Sequence, residues 1–145
     1  MDICSFPKEK VSEDLMEIAV IFAVYKGKIV FVKNKGRGGW EMPAGHREKD
    51  EHINVTASRE LREETGAVKY EIKPLCDYMV TSDDHIGYGR LFYAKIYELS
   101  PINDSEVEEI GFFTQQPENL VYPDVQSALF KKAISVVGPL QGEEN

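Results

Sequence analysis

Apolar positions fall into blocks whose period changes along the chain. Residues 17–25 and 28–34 are rich in Val, Ile and Phe and are parted only by Lys26-Gly27, which predicts two strands joined as a hairpin. A short extended stretch, Trp40-Glu41-Met42, runs up to Pro43 and a sharp turn into a loop. From about Glu51 to Thr65 the period lengthens, and Ile53, Ala57 and Leu61 recur at helical spacing as one apolar stripe. Val68 to Val80 reads as extended chain interrupted at Pro74, and Tyr88 to Leu99 as a strand apolar on both faces, with residues 81–87 as a polar loop between them. Near the C-terminus Val125, Ala128, Leu129, Ala133 and Val136 predict a second helix, with Asp124 as its cap and Gly138-Pro139 as its stop. Strands on both sides of a central helix, closed by a terminal helix, predict an α/β sandwich with a mixed sheet between helices. No repeat or linker breaks it, so residues 1–145 read as a single domain.

The polar positions of the central helix are less ordinary than its apolar ones. Glu60, Glu63 and Glu64 stand at i, i+3 and i+4, so their carboxylates share one face beside the apolar stripe. Two carboxylates about 6 Å apart at an effective dielectric constant of about 20 repel by roughly 3 kcal/mol, so a cation belongs among them. A set of oxygen ligands with no Cys or His suits a hard divalent ion, Mg²⁺ or Mn²⁺, and not zinc. A solvated acidic helix face has the same local spacing; the surroundings decide against it. Gly45, Glu51, Arg59-Glu60-Leu61, Glu63-Glu64 and Gly66 form a fixed-spacing constellation that average residue usage would produce by chance roughly once in 10⁹ windows. Glu51 and Arg59 lie two helical turns apart and can brace loop against helix as an ion pair. Gly66 suits a left-handed helix end.

Net charge is −8, which disfavours a nucleic-acid polymer or an anionic membrane as partner; a polyphosphate remains open to an acidic chain if metal ions bridge the two. Cys4 and Cys76 are the only cysteines and make no disulfide framework. The longest apolar stretch, Ile18 to Tyr25, is too short to span a bilayer. With no basic-then-apolar leader at Met1-Asp2, the expected location is the cytoplasm, as monomer or homodimer.

The constellation from Gly45 to Gly66 resembles the signature of the Nudix hydrolases, enzymes that cut nucleoside diphosphates linked to a further group, and the resemblance covers about residues 15–137. It implies a Nudix-type α/β/α sandwich with a catalytic loop-helix-loop. It also implies a Mg²⁺-dependent pyrophosphohydrolase in which Glu60 and Glu64 are metal ligands and Glu63 is ligand or general base. Glu51 and Arg59 would support the loop, and the carbonyl of Ala44 would join the metal shell. The expected substrate is a small nucleotide, with a nucleoside triphosphate favoured, oxidised ones such as 8-oxo-dGTP among them. ADP-ribose, dinucleoside polyphosphates and a non-catalytic nucleotide sensor are the alternatives.

Several positions depart from the family pattern. Ala44 replaces the first of two usual glycines, Lys49-Asp50 stands where Pro-Gly is common, Ala67 replaces a bulky aliphatic, and His52 sits where Ser or Thr usually caps the helix, leaving Asp50 as a candidate cap. Glu106, six residues before Phe112, resembles a further acid of the family that approaches the metal from a separate loop, as ligand or base; a solvated acidic run gives the same pattern. Lys33, Lys35 and Arg37 could meet polyphosphate oxygens, or form a basic turn. Arg90, among apolar strand residues, calls for an anionic partner and is a candidate substrate contact. Trp40, Tyr78 and Phe112 could stack a base or lie in the core, and His85 reads as part of a solvated loop.

Overall fold

In the computed structural model, residues 2–7, 9–102 and 106–138 are described. Eight strands and two helices follow one another as β1 (Asp2–Pro7), β2 (Met16–Tyr25), β3 (Lys28–Asn34), β4 (Trp40–Glu41), β5 (Ala44–His46), α1 (Ile53–Thr65), β6 (Ala67–Ser82), β7 (His85–Leu99), β8 (Val107–Phe113) and α2 (Pro123–Val137). They form one mixed sheet of order β1-β6-β7-β2-β3-β4, with β5 on β2 and β8 on β3. The β2–β7 pair is parallel and the other pairs are antiparallel.

Period-two alternation along β2 explains the two helical layers. Ala19, Ile21 and Ala23 face one side, where they pack with Ile53, Ala57 and Leu61 of α1. Val20, Phe22 and Val24 face the other, against Leu129 and Ala133 of α2. Both faces are therefore dry from Ala19 to Val24, and that stretch of the strand is apolar throughout. Ala19, Ala23, Ala57 and Ala94 keep the α1 layer thin, drawing the helix close to the sheet. Among the described residues no helix is long and apolar enough to cross a membrane.

Some local expectations change. Pro74 does not interrupt β6: β1 covers that strand only from Cys76 onward, and a register shift against β7 between Pro74 and Cys76 accommodates the ring. The polar run 81–87 is mostly strand, and only Asp83-Asp84 make the turn between Ser82 and His85. The last helix starts at Pro123, whose missing N–H is harmless at that position, and Asp124 makes no cap. Val136 is exposed, and Gln126 takes a buried place on the helix instead. Gly138 ends the helix as expected, while Pro139 lies outside the described residues.

Candidate active site

The loop before α1 is placed by a change of partner along β2. Ile18–Val20 pair with β5, whereas Ala23–Tyr25 pair with β3, and Ile21 N–H between them donates to Pro43 O at 2.9 Å. The sheet opens at that switch, and Ala44 and Gly45 lie beneath the acidic face of α1. Gly45 is needed for space: a Cβ there would overlap the Glu60 carboxyl group. Ala44 is tolerated because its backbone φ is not positive, so a second glycine is unnecessary. Asp50, where the family commonly has Gly, takes φ 62° and turns the chain.

That conformation leaves Asp50 no capping role. His52 caps α1 itself, its Nδ1 accepting Asn54 N–H at 3.0 Å, and Glu13 accepts Ile53 N–H at 2.7 Å from a remote segment. At the other end Gly66 adopts φ 79°, and any side chain there would strike the Ser100 carbonyl.

Arg59 does more than pair with Glu51. Its Nε and Nη2 donate to the two Glu51 oxygens at 2.8 and 3.0 Å, while Nη1 reaches Glu60 at 2.9 Å and Glu63 at 3.2 Å. Glu51 also accepts from Thr56 Oγ1 at 2.7 Å and from Glu48 N–H at 3.0 Å. The Arg59 guanidinium holds the Glu51 carboxyl down to about 2, and Glu51 in turn raises Arg59 above its ordinary range. Among the described residues Glu64 pairs with no cationic side chain; it accepts Ala44 N–H at 3.1 Å. Burial pushes Glu64 up to about 8, with Glu60 and Glu41 adding repulsion, and burial also raises Glu60.

Glu60, Glu63 and Glu64 line a cleft of about 850 Å³ together with Ala44 and Glu106. Glu106 is fixed there through its backbone, where its carbonyl accepts Lys35 N–H at 2.8 Å. Glu108 is not a lining residue, and Glu109 lies 3.7 Å from Lys33. Among the described residues no three acidic, His or Cys side chains form a closed metal cage by themselves. The donors nevertheless fit a hard divalent ion: all are oxygens, and Glu64 is a half-buried carboxylate without a positive partner among the described residues.

The family model described as NUDIX domain matches residues 15–124, more than half of the chain. The chain belongs to the Nudix family. Its Bacillus subtilis (strain 168) relative named "Putative 8-oxo-dGTP diphosphatase YtkD" is 31% identical over 117 residues, 80% of this chain and 73% of the relative. A crystal structure of a mutant of the Bacillus subtilis pyrophosphohydrolase BsRppH has a TM-score of 0.80 at 23% identity and covers 96% of this chain and 93% of that one. The NUDIX domain of Shewanella oneidensis NrtR, solved with ADP-ribose, has a TM-score of 0.59 at 18% identity, covering 90% and 93%.

In this Nudix hydrolase the expected substrate contacts separate. Arg90 is 3% exposed; its Nε and Nη2 donate to Asp77 at 2.6 and 3.3 Å and its Nη1 to Asn54 at 3.1 Å. This corrects its reading as a substrate contact: the anion it requires comes from the core. Lys33 and Trp40 line neither the acidic cleft nor the pocket beside it. Lys33 Nζ sits 4.8 Å from the Trp40 ring centroid, and that ring packs edge-on against Phe113. Arg37 pairs with buried Glu41 at 2.9 Å and lines the adjoining pocket, not the acidic cleft. Tyr78 is buried in the wall of that pocket, where burial raises its phenol, and Phe112 rests on Tyr25 at the surface. His85 lies 3.7 Å from Glu17.

Other residues emerge only from the structure. Arg62, on the cleft wall, is steadied by Ser58 and Tyr70 at 3.0 Å each. Arg47 ties the loop down by donating to the carbonyls of Met16, Glu51 and Asp14. Glu41 and Gln126 sit in the second pocket. Arg62 lies inside the sequence constellation and carries a charge there, whereas Glu41 and Gln126 are 85 positions apart and no local pattern joins them.

Proposed function

We propose that this Nudix hydrolase is a Mg²⁺-dependent pyrophosphohydrolase of nucleoside triphosphates, oxidised ones such as 8-oxo-dGTP included, releasing a nucleoside monophosphate and pyrophosphate. The observation that carries the reading is the gathering of carboxylates in one cleft: Glu60, Glu63, Glu64 and Glu106 share it, and among the described residues no cationic side chain pairs with Glu64. The name of the 31% identical relative supports the substrate class.

Glu60 and Glu64, with the Ala44 carbonyl and Glu63, would hold Mg²⁺ or Mn²⁺. Bound there, the ion supplies polarisation of phosphoryl oxygens and a lowered pKa of coordinated water. The chain's own residues do the rest. Glu63 or Glu106 takes the proton of the attacking water as the P–O bond of the diphosphate bridge breaks. Arg59 and Glu51 keep the helix face and loop in register, so the carboxylates are aimed before substrate arrives.

The test is a panel of nucleoside triphosphates, ADP-ribose and dinucleoside polyphosphates assayed with and without Mg²⁺. Metal-dependent release of pyrophosphate from a triphosphate is expected. Higher kcat/KM on ADP-ribose or a dinucleoside polyphosphate redirects the substrate, and no turnover of any member with either metal overturns the enzymatic reading.

A further inference from the structure

Beside the acidic cleft, and sharing Ala44 with it, lies a mainly apolar pocket of about 320 Å³ walled by Ile18, Val20, Tyr78, Val80 and Tyr88. Two buried polar side chains interrupt its apolar lining: Glu41 and Gln126, each 5% exposed. Their hydrogen-bonding sense is determined by their neighbours. Gln126 Oε1 accepts Met42 N–H at 3.0 Å, which fixes the amide orientation and leaves the Nε2 group as a donor. Glu41 is an acceptor at both oxygens; Asn34 Nδ2 at 2.9 Å and Arg37 at 2.9 and 3.3 Å hold it without using all its lone pairs. A ligand that engages both would complement them by offering N–H groups to Glu41 and an acceptor to Gln126.

Resting on the nucleotide reading above, we propose that this pocket selects guanine-type bases, with Glu41 and Gln126 as the specificity-determining residues. Guanine carries two adjacent donors, N1–H and the 2-amino group, beside the O6 acceptor, an edge that oxidation at C8 leaves unchanged. Hypoxanthine lacks the 2-amino donor. Adenine replaces O6 by an amino group and N1–H by an acceptor.

The test is calorimetric binding of GMP, IMP and AMP to the full chain without divalent ions, run beside Mg²⁺-dependent hydrolysis of GTP, ITP and ATP. GMP should bind about 10-fold tighter than IMP and at least about 10-fold tighter than AMP, as for a bidentate base contact. Glu41→Gln should bring the GMP:IMP ratio to within about twofold of unity. Gln126→Glu keeps an acceptor for Met42 N–H but removes the donor, and should narrow GMP over AMP. Equal affinities in the wild type, or no measurable binding of any monophosphate, overturn the proposal even if triphosphates are hydrolysed. A GMP preference without hydrolysis supports the pocket and overturns the catalytic reading. The wild-type ratios decide the matter if a variant does not fold.

Discussion

Two arginines of this chain each grip a carboxylate with two nitrogens, yet they serve opposite ends. Arg90 and Asp77 are one cation and one anion, both sealed in the core; Asn54 and the Val11 N–H satisfy what remains. Arg59 is one cation among Glu48, Glu51, Glu60 and Glu63, with Glu64 beyond its reach. The first pair is balanced and positions backbone: it links β6 and β7 to the start of α1. The second is left short of positive charge, and a divalent ion would make good the difference. A buried ion pair is weak grounds for inferring function; an unbalanced cluster in a cleft is stronger.

The largest effect should come from removing charge where it is in excess. Glu64→Gln keeps the shape of the side chain but loses a ligand charge, and kcat/KM should fall about 10³-fold, as when a group aimed at developing charge is lost. Thermal stability should stay level or rise, because repulsion from Glu60 and Glu41 is relieved. Near-normal turnover at limiting Mg²⁺ would erase the contrast between the two arginines. At the balanced pair the outcome inverts. Arg90→Met strands Asp77 in the core and should lower unfolding free energy by about 3–5 kcal/mol in denaturant melts. Replacing both, Arg90→Met with Asp77→Leu, should recover most of that loss. A single variant within about 1 kcal/mol of wild type, on the order of an exposed pair, would show that the pair is not sealed.

Arg59 and Glu51 test the same contrast within the site. Each truncation should reduce kcat/KM by about 10–100-fold, the scale of groups that orient metal ligands, and the double variant should be little worse than the poorer single one. Additive losses in the cycle would mean that Arg59 acts mainly through Glu60 and Glu63. The smallest effect is expected at the rim. Glu106→Gln should lower kcat about 10-fold and weaken the acidic limb of the pH–rate profile, with little change in Mg²⁺ affinity. Glu108→Gln and Glu109→Gln should be close to silent, since neither side chain lines the cleft. Three equivalent, silent variants would make Glu106 part of a solvated acidic run.

Local periodicity made the central helix and its acidic face legible. Spacings of three and four residues on one helix depend on α-helical geometry alone, so Glu60, Glu63 and Glu64 could be read without tertiary knowledge, whereas Glu51 lies in the loop just before α1 and its pairing with Arg59 was legible only through the fixed spacing of the constellation. The hairpin at Lys26-Gly27 was readable for the same reason, because its turn is local. What escaped depends on partners far apart in sequence. Arg90 called for an anion, but only the β6–β7 register puts Asp77 opposite it. His52 caps α1 in a setting completed by Glu13, and the Lys33 side chain is occupied by Trp40 and Glu109 from neighbouring strands. The apolar pocket needs β2, β4, β6, β7 and α2 at once. Pro74 misled because a strand accommodates proline beside a register shift.

The central claim is that the Glu60–Glu64 cleft carries negative charge awaiting a divalent ion, and thermal unfolding against pH, with and without Mg²⁺, tests it most directly. Glu64 titrates near 8 in the folded, metal-free chain and near 4.5 when unfolded, so folding favours its protonated form. That contribution, on the order of 5 kcal/mol, is whole below pH 4.5 and lost as pH rises through about 8. Mg²⁺ should therefore raise the melting temperature little at about pH 5 and by several degrees at about pH 8.5, and Glu64→Gln should abolish both the metal-free decline and most of the rescue. A Mg²⁺ effect that is absent, independent of pH, or undiminished in Glu64→Gln would contradict the account.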